Sequence, residues 1–534
     1  MSTPIPKGGD LGYAPGTVRL ETADSAQELV LHPTPTDDPN DPLNWSKWRK
    51  ALNFGLASSF VTLTFVVVDN VYVLYEPYAE DLGASQADIN NSLALQYAGL
   101  AVGSILFIPL TYRYGRRPIY LSSTLVQLIS TIWTACMTTV PELYVTNFLQ
   151  GLGGAVSESI VLITIGDIFF VHQHALANGI FLLMQSVGAF LGPVAFGYVV
   201  APLGWRWVWW ITNILLAANL VLVLFAFEET KFVPQLLGEA HRTTTVSDSP
   251  DGSHYEGPDD RKLAPVSPAM SPAVELDYRL KSYRQRLAFI TKTNEPILSH
   301  FYQPLLILVK VPGVAYAAMT YGLLLAWMSV MSSTSSYYTI LPPYNLNSAQ
   351  IGLLSLPPFA GLAVGTLIFA PLSDWSILWL SKRNNGIFEP EMRLWLALLG
   401  AVLNIAGMLM FGLCLANEQP LIIMNTGAAI SGVGFTISAN VALTYMLDCY
   451  ENILGDAAVG VVLLRNGFSV IIMFAFTPWI TAMGIRNTYI LMSVLGYVIL
   501  NMPIAFLIWG KKWRISSAKH YLYYSAKQLT TREP

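Results

Sequence analysis

The chain has 534 residues, of which 53% are hydrophobic and 12% charged, with a formal net charge of -4 and a mean hydropathy of +0.47. Soluble globular chains carry about 25% charged residues, so this composition leaves too little polar surface for a water-soluble body, and the small negative charge speaks against a nucleic-acid partner. Cys136, Cys414 and Cys449 share no ligand spacing, and the seven histidines do not group. We therefore expect no metal, no cofactor and no disulfide framework. No clustered nucleophile or metal set marks an enzyme.

In chain order, the polar start MSTPIPKGGD shows no apolar core, so no cleaved signal is expected. Residues 1–45 are rich in Pro, Asp and Thr and read as a disordered tail. A spanning helix needs about 20 apolar residues. Six candidates follow within 46–230, at 51–75, 91–112, 118–137, 143–168, 175–200 and 207–227. Residues 231–305 carry the run SDSPDGSHYEGPDD and then a basic stretch, and read as a largely disordered loop. Six more candidates lie within 306–510, at 312–336, 351–373, 394–415, 420–447, 457–482 and 488–510, before a polar tail at 511–534.

Twelve crossings place Arg113, Arg116 and Arg117 on the same side as Lys382, Arg383 and Arg393. Lys47, Arg49 and Lys50 before the first span, and Lys511, Lys512 and Arg514 after the last, join them. Basic loops stay inside, so both termini are expected in the cytosol. The plasma membrane is the expected location, with the vacuolar membrane as the alternative.

The two sets of six repeat. The stretch from Gly103 to Tyr112 (GSILFIPLTY) matches Gly365 to Asp374 (GTLIFAPLSD). The stretch from Gly151 to Ser157 (GLGGAVS) matches Gly432 to Ser438 (GVGFTIS), and Asp167 then falls opposite Asp448. Many secondary transporters are built from such repeats, with the substrate site at the midplane between them.

Several motifs carry a family resemblance. They are PLNWSKWR at 42–49, YGRRP at 114–118, Gly188-x3-Gly192-Pro193-x3-Gly197, FEETKF at 227–232, NGIFEPEMRL at 385–394 and YMLDCY at 445–450. Together they resemble the major facilitator superfamily, and within it the fungal twelve-span drug:proton antiporter-like group, near the polyamine and histidinol-type carriers. The resemblance implies an all-α membrane protein of twelve transmembrane helices in two pseudo-symmetric six-helix halves. It also implies a monomer that exports a drug, toxin or secondary metabolite against protons, by alternating access. Proton-coupled uptake of an organic cation such as a polyamine is the alternative, and a transporter-like membrane sensor is an alternative of another class. In the family, Arg113, Gly115, Arg116, Arg117 and Asp374 would gate, and Gly188, Gly192, Pro193 and Gly197 would form the antiporter motif. The chain departs from the family at Tyr112, where the loop motif has Asp, and at Asn147, where the span-four motif has an arginine associated with proton handling.

An ionisable residue at membrane depth is by default a functional candidate. Glu158 is the first choice, with Asp69, Asn70, Arg465 and Asn466. A buried acid can take up a proton on one side and release it on the other, or hold a cationic solute. The bland alternative is a Glu that glues helices together. Gln96, Gln185 and Trp327 are further candidates for the wall of a substrate or proton path. Asp167 and Asp448 read as braces of matching loops. Asn90-Asn91-Ser92 is a glycosylation sequon, expected in the short outer loop after span one.

Overall fold

The computed structural model describes residues 15–19, 38–232, 281–287, 289–291, 297–384, 387–450 and 453–525. Helices dominate. The only β-structure among the described residues is an antiparallel bridge of Val18–Arg19 with Ile387–Phe388. Spans one to six are Lys47–Val73, Gln86–Tyr114, Arg117–Cys136, Val140–Ile168, Leu176–Leu203 and Trp205–Ala226. Spans seven to ten are Pro312–Tyr338, Ser348–Arg383, Pro390–Ala416 and Leu421–Cys449.

The remaining apolar stretch, Gly455–Ser525, is long enough for two crossings. Gly484 interrupts it at φ 74°, a left-handed backbone that glycine adopts without a Cβ penalty. Before this point the chain runs from Gly455, which faces Tyr112 at the end of span two, to Thr477, which meets Asn90 at the start of span two. After it, Gly510 lies against Glu391, at the start of span nine. Spans two and nine begin on opposite faces, so the chain has reversed at Gly484. Spans eleven (455–483) and twelve (485–510) complete twelve crossings, and the last helix continues to Ser525. We call the face carrying both termini the terminus face, and the other the far face.

Local chemistry sets the helix starts. Ser46 caps span one, and Ser85 with Asp88 forms a reciprocal capping box on span two. Pro118, Pro141 and Pro312 occupy first turns, where a missing N–H costs nothing. The box at Ser85 starts span two before its apolar run. This places Asn90 in a helix rather than in the expected loop.

The sequence repeat becomes a packing repeat. In the first half, a side chain at Gly103 would lie 2.5 Å from the Leu152 carbonyl, and Gly151 lies against the Gln96 carbonyl, so these glycines seat span two on span four. In the second half, a side chain at Gly365 would lie 3.0 Å from Thr436 and one at Gly432 2.6 Å from the Pro358 carbonyl, which seats span eight on span ten. Without a hydrophobic drive between helices in lipid, close approach of this kind supplies the association. Gly151→Val is expected to cost about 1–3 kcal/mol by overpacking. Gly166→Val, where nothing lies within 4 Å, should cost little. Thermal unfolding of both variants in detergent checks the contrast.

Parts of the tails are seated on the terminus face. Arg514, with its side chain 1% exposed, donates to both Glu391 oxygens at 2.9 and 2.7 Å. It also donates to the Pro15 carbonyl and, at 3.3 Å, to the Thr17 hydroxyl. The Lys281 N–H donates to Asn40 Oδ1 at 2.9 Å, and Arg117 donates to the Leu287 carbonyl. The expectation of disorder covers most of 1–45 and 231–305; these contacts seat short parts of them, with buried partners at Arg514 and an exposed one at Lys281. A helix also begins at Ile297, inside the expected linker. Most of 1–45 and 231–305 lies outside the described residues.

Candidate functional site at mid-depth between the halves

Four polar side chains predicted separately converge between the halves. Glu158 of span four forms an ion pair with Arg465 of span eleven, the two side chains being 2% and 4% exposed. Asn466 donates its Nδ2 to the other Glu158 oxygen at 2.9 Å. The Arg465 guanidinium carbon lies 5.3 Å from the centre of the Tyr321 ring on span seven, within cation–π range. A charge at this depth is costly unless paired, so Glu158 and Arg465 each supply what the other needs. The bridge joins one half to the other.

Asp69, at the end of the first helix, is the fourth member. It lies close enough to Glu158, Tyr72 and Tyr97 for its charge to act on all three. Among the described residues its carboxylate has no ion pair and no hydrogen bond. The centre therefore holds two carboxylates and one guanidinium. A small cleft on the far side, lined by Tyr72, Met331, Ser335, Phe411 and Asn425 among others, holds no charged residue. Tyr72 stands between it and Asp69.

Asn70 is buried beside this group, and neither its oxygen nor its nitrogen has a partner among the described residues. Gln185 is half-buried on span five. The other two candidates turn elsewhere. Gln96 donates to Gln150 Oε1 at 3.2 Å, and Gln150 donates to Thr134 at 2.8 Å. Gln96 thus braces spans two, three and four, because a buried amide takes the nearest partner. Trp327 is 2% exposed and packs toward Gly496 of span twelve. Its buried indole N–H has no hydrogen-bond partner among the described residues. The departure at Asn147 also has a place: its Nδ2 donates to the Ser92 hydroxyl at 2.8 Å, and the arginine at mid-depth comes from span eleven.

The motif residues hold the terminus face. Arg116 donates to Asp167 at 2.9 Å, and its backbone N–H, with that of Arg117, donates to Glu229. Arg393 donates to Asp448 at 2.6 Å in the second half, so the two acids do brace matching loops. Gly115 packs on the Glu229 carboxylate at φ 104°. Arg113 lies over the Tyr114 ring. The Tyr112 hydroxyl faces Gly455 of span eleven. The Asp374 side chain lies outside the described residues. On span five, a π-helical turn at Val187–Leu191 precedes Pro193. Gly188 and Gly192 face span one, whereas Gly197 and the Pro193 carbonyl face Ser348 and Gly352 of span eight. The motif therefore lies on an interface within the first half and on one between the halves.

The glycosylation expectation does not hold in this conformation. Asn90 is fully buried, and its amide is engaged by Tyr75, Ser333 and Thr477. A carbohydrate on its nitrogen has no space. Sequence reasoning also missed Tyr321, Tyr72 and Tyr97, since an uncharged aromatic in a span gives no signal distinct from packing.

Comparison with known proteins agrees with this architecture. The sequence model of the Major Facilitator Superfamily matches residues 54–457. An uncharacterized MFS-type transporter of Schizosaccharomyces pombe is 30% identical, over 92% of this chain and 89% of its own length. Protein HOL1 of Saccharomyces cerevisiae is 26% identical, over 96% of this chain and 97% of its own. The crystal structure of a D-xylose-proton symporter superposes with a TM-score of 0.56 at 14% identity, over 84% of this chain and 96% of that one; this likeness is one of fold. Twelve crossings in two matched halves and the family match over most of the chain lead to one conclusion: this multi-pass membrane protein belongs to the major facilitator superfamily of transporters.

Proposed function

We propose that the protein exchanges a small organic cation for protons, exporting the cation across the plasma membrane with both termini in the cytosol. The observation that carries this reading is the charge count at the centre. Glu158 is matched by Arg465, and Asp69 is matched by nothing among the described residues. One added positive charge makes the group neutral. A proton or a monovalent cation supplies it, and the two compete because Asp69 and Glu158 feel each other's charge. Competition for one charge is the requirement for exchange. Protonation of Glu158 also weakens the bridge to Arg465, so the same event eases the parting of the halves. Tyr72, Tyr97 and Tyr321 add π surfaces suited to a cation. Uptake of the cation is the second reading, favoured by the acidic far-side helix, where Glu76, Glu80 and Asp81 lie within Tyr75–Leu82 and draw cations toward that face.

Proteoliposomes acid inside and loaded with a pH dye test this proposal. Tetraethylammonium, a polyamine or a neutral hexose is added outside. Exchange alkalinises the lumen on addition of a cation and leaves it unchanged with the hexose. Acidification marks co-transport and favours uptake. An equal signal from the neutral solute overturns the cation site.

A further inference from the structure

On the far face, beside the close packing of span five on span eight, uncharged hydrogen bonds join the halves. Tyr75 and Ser333 both donate to Asn90 Oδ1, at 2.8 and 2.6 Å, and Asn90 Nδ2 donates to Thr477 at 2.9 Å. Tyr75 and Ser333 also touch each other at 2.8 Å. Deeper by about two helical turns, the Tyr97 hydroxyl lies 2.6 Å from Ser329 Oγ. The Ser329 hydroxyl also lies 3.0 Å from the Leu325 carbonyl, to which it can donate. Tyr75, Asn90 and Tyr97 belong to the first half, and Ser329, Ser333 and Thr477 to the second. Asn90, Ser333, Tyr75 and Tyr97 are at most 4% exposed. None of these six groups carries a charge.

We propose that Asn90 is a positioning residue of the far-side gate: its amide latches span two to spans seven and eleven and sets the resting bias toward the far-side-closed state. A primary amide fits because it offers an acceptor with two lone pairs and two N–H donors at one point. Here the acceptor takes a hydroxyl from each half while the donor side reaches a third helix. Opening toward the far face must break every bond that crosses the seam. Water replaces each one, so each contributes modestly, by about a factor of ten or less in the closed-to-open ratio. Because Asn90, Ser333 and Thr477 are neutral, protonation at Glu158 and Asp69 acts on the halves without changing the charge of this latch. The charged bridge responds to protons, and the latch sets the starting point. The sequon at Asn90 belongs to the same picture: an amide that must enter the seam at every closure cannot carry a carbohydrate.

The test is cysteine accessibility in the purified protein, which needs no knowledge of the substrate. Cys136 is exposed and is first replaced by Ser, whereas Cys414 and Cys449 are buried. Ala94, fully buried and one helical turn below Asn90, is replaced by Cys as a reporter on the same helix face. Asn90→Ala, Ser333→Ala and Thr477→Val should each raise the maleimide labelling rate at Ala94→Cys several-fold. Thermal unfolding identifies any variant that has not folded, and the two substitutions in the second half keep the test valid if Asn90→Ala fails. The Asn90→Ala/Thr477→Val double variant should label little faster than Asn90→Ala alone, since the bond of the Thr477 hydroxyl across the seam is the one to Asn90. The increase from Asn90→Ala should be equal at pH 5.5 and 7.5. Unchanged labelling in folded single variants, or independent multiplicative effects in the double variant, would overturn the latch.

Discussion

Arg465→Met is expected to destabilise the protein by about 3–5 kcal/mol and to abolish cation-driven proton movement. The cost arises because Glu158, 2% exposed by side chain, loses its cationic partner and is left with the Asn466 amide. Breaking one side of a buried ion pair is more damaging than never having had the pair. The double variant Glu158→Leu/Arg465→Met should therefore recover most of the stability, since apolar side chains replace both charges. It should not recover transport. The two measurements, thermal unfolding in detergent and the liposome dye assay, separate helix glue from function. If the double variant still moves protons with a cation, the bridge is structural only, and Asp69 must act without it.

Asp69→Asn carries the second large effect, and it is of the opposite kind. This carboxylate has no described partner, so its removal leaves no charge stranded. Stability should hold within about 1 kcal/mol, as for substitutions away from cores and networks. The apparent affinity for a cation should fall about 30-fold or more, because losing one side of a desolvated charge pair costs at least about 2 kcal/mol, with tenfold per 1.4 kcal/mol. A KM series in proteoliposomes reads this directly. An unchanged KM for every cation that drives protons would remove Asp69 from the binding site and leave only Glu158 as the acid in play.

The spans were legible in the sequence because lipid leaves the backbone few choices. Each crossing must satisfy its own hydrogen bonds, so it shows as a long apolar helix. Even the reversal at Gly484 was visible as a break between two apolar runs. Helix starts were less legible. Ser85 and Asp88 extend span two beyond its apolar part, and this moved Asn90 from a loop into a buried seam.

What the sequence determined by itself was the class of the molecule and the four polar residues that meet at its centre. Glu158, Arg465, Asn466 and Asp69 stand out because a charge or strong dipole at membrane depth has few innocent explanations. The glycine matches at Gly103, Gly151, Gly365 and Gly432 marked the two halves as a repeat, and the structure showed that they seat span two on span four and span eight on span ten. Only the tertiary structure decided who meets whom. Residues 158 and 465 lie far apart in the chain, and no local pattern says that one completes the other. Gln96 and Trp327 look like Glu158 on a list of polar and aromatic residues in spans, yet they face neighbouring helices of their own halves. A helix presents all its sides to the sequence equally, and packing alone selects the side that faces the seam.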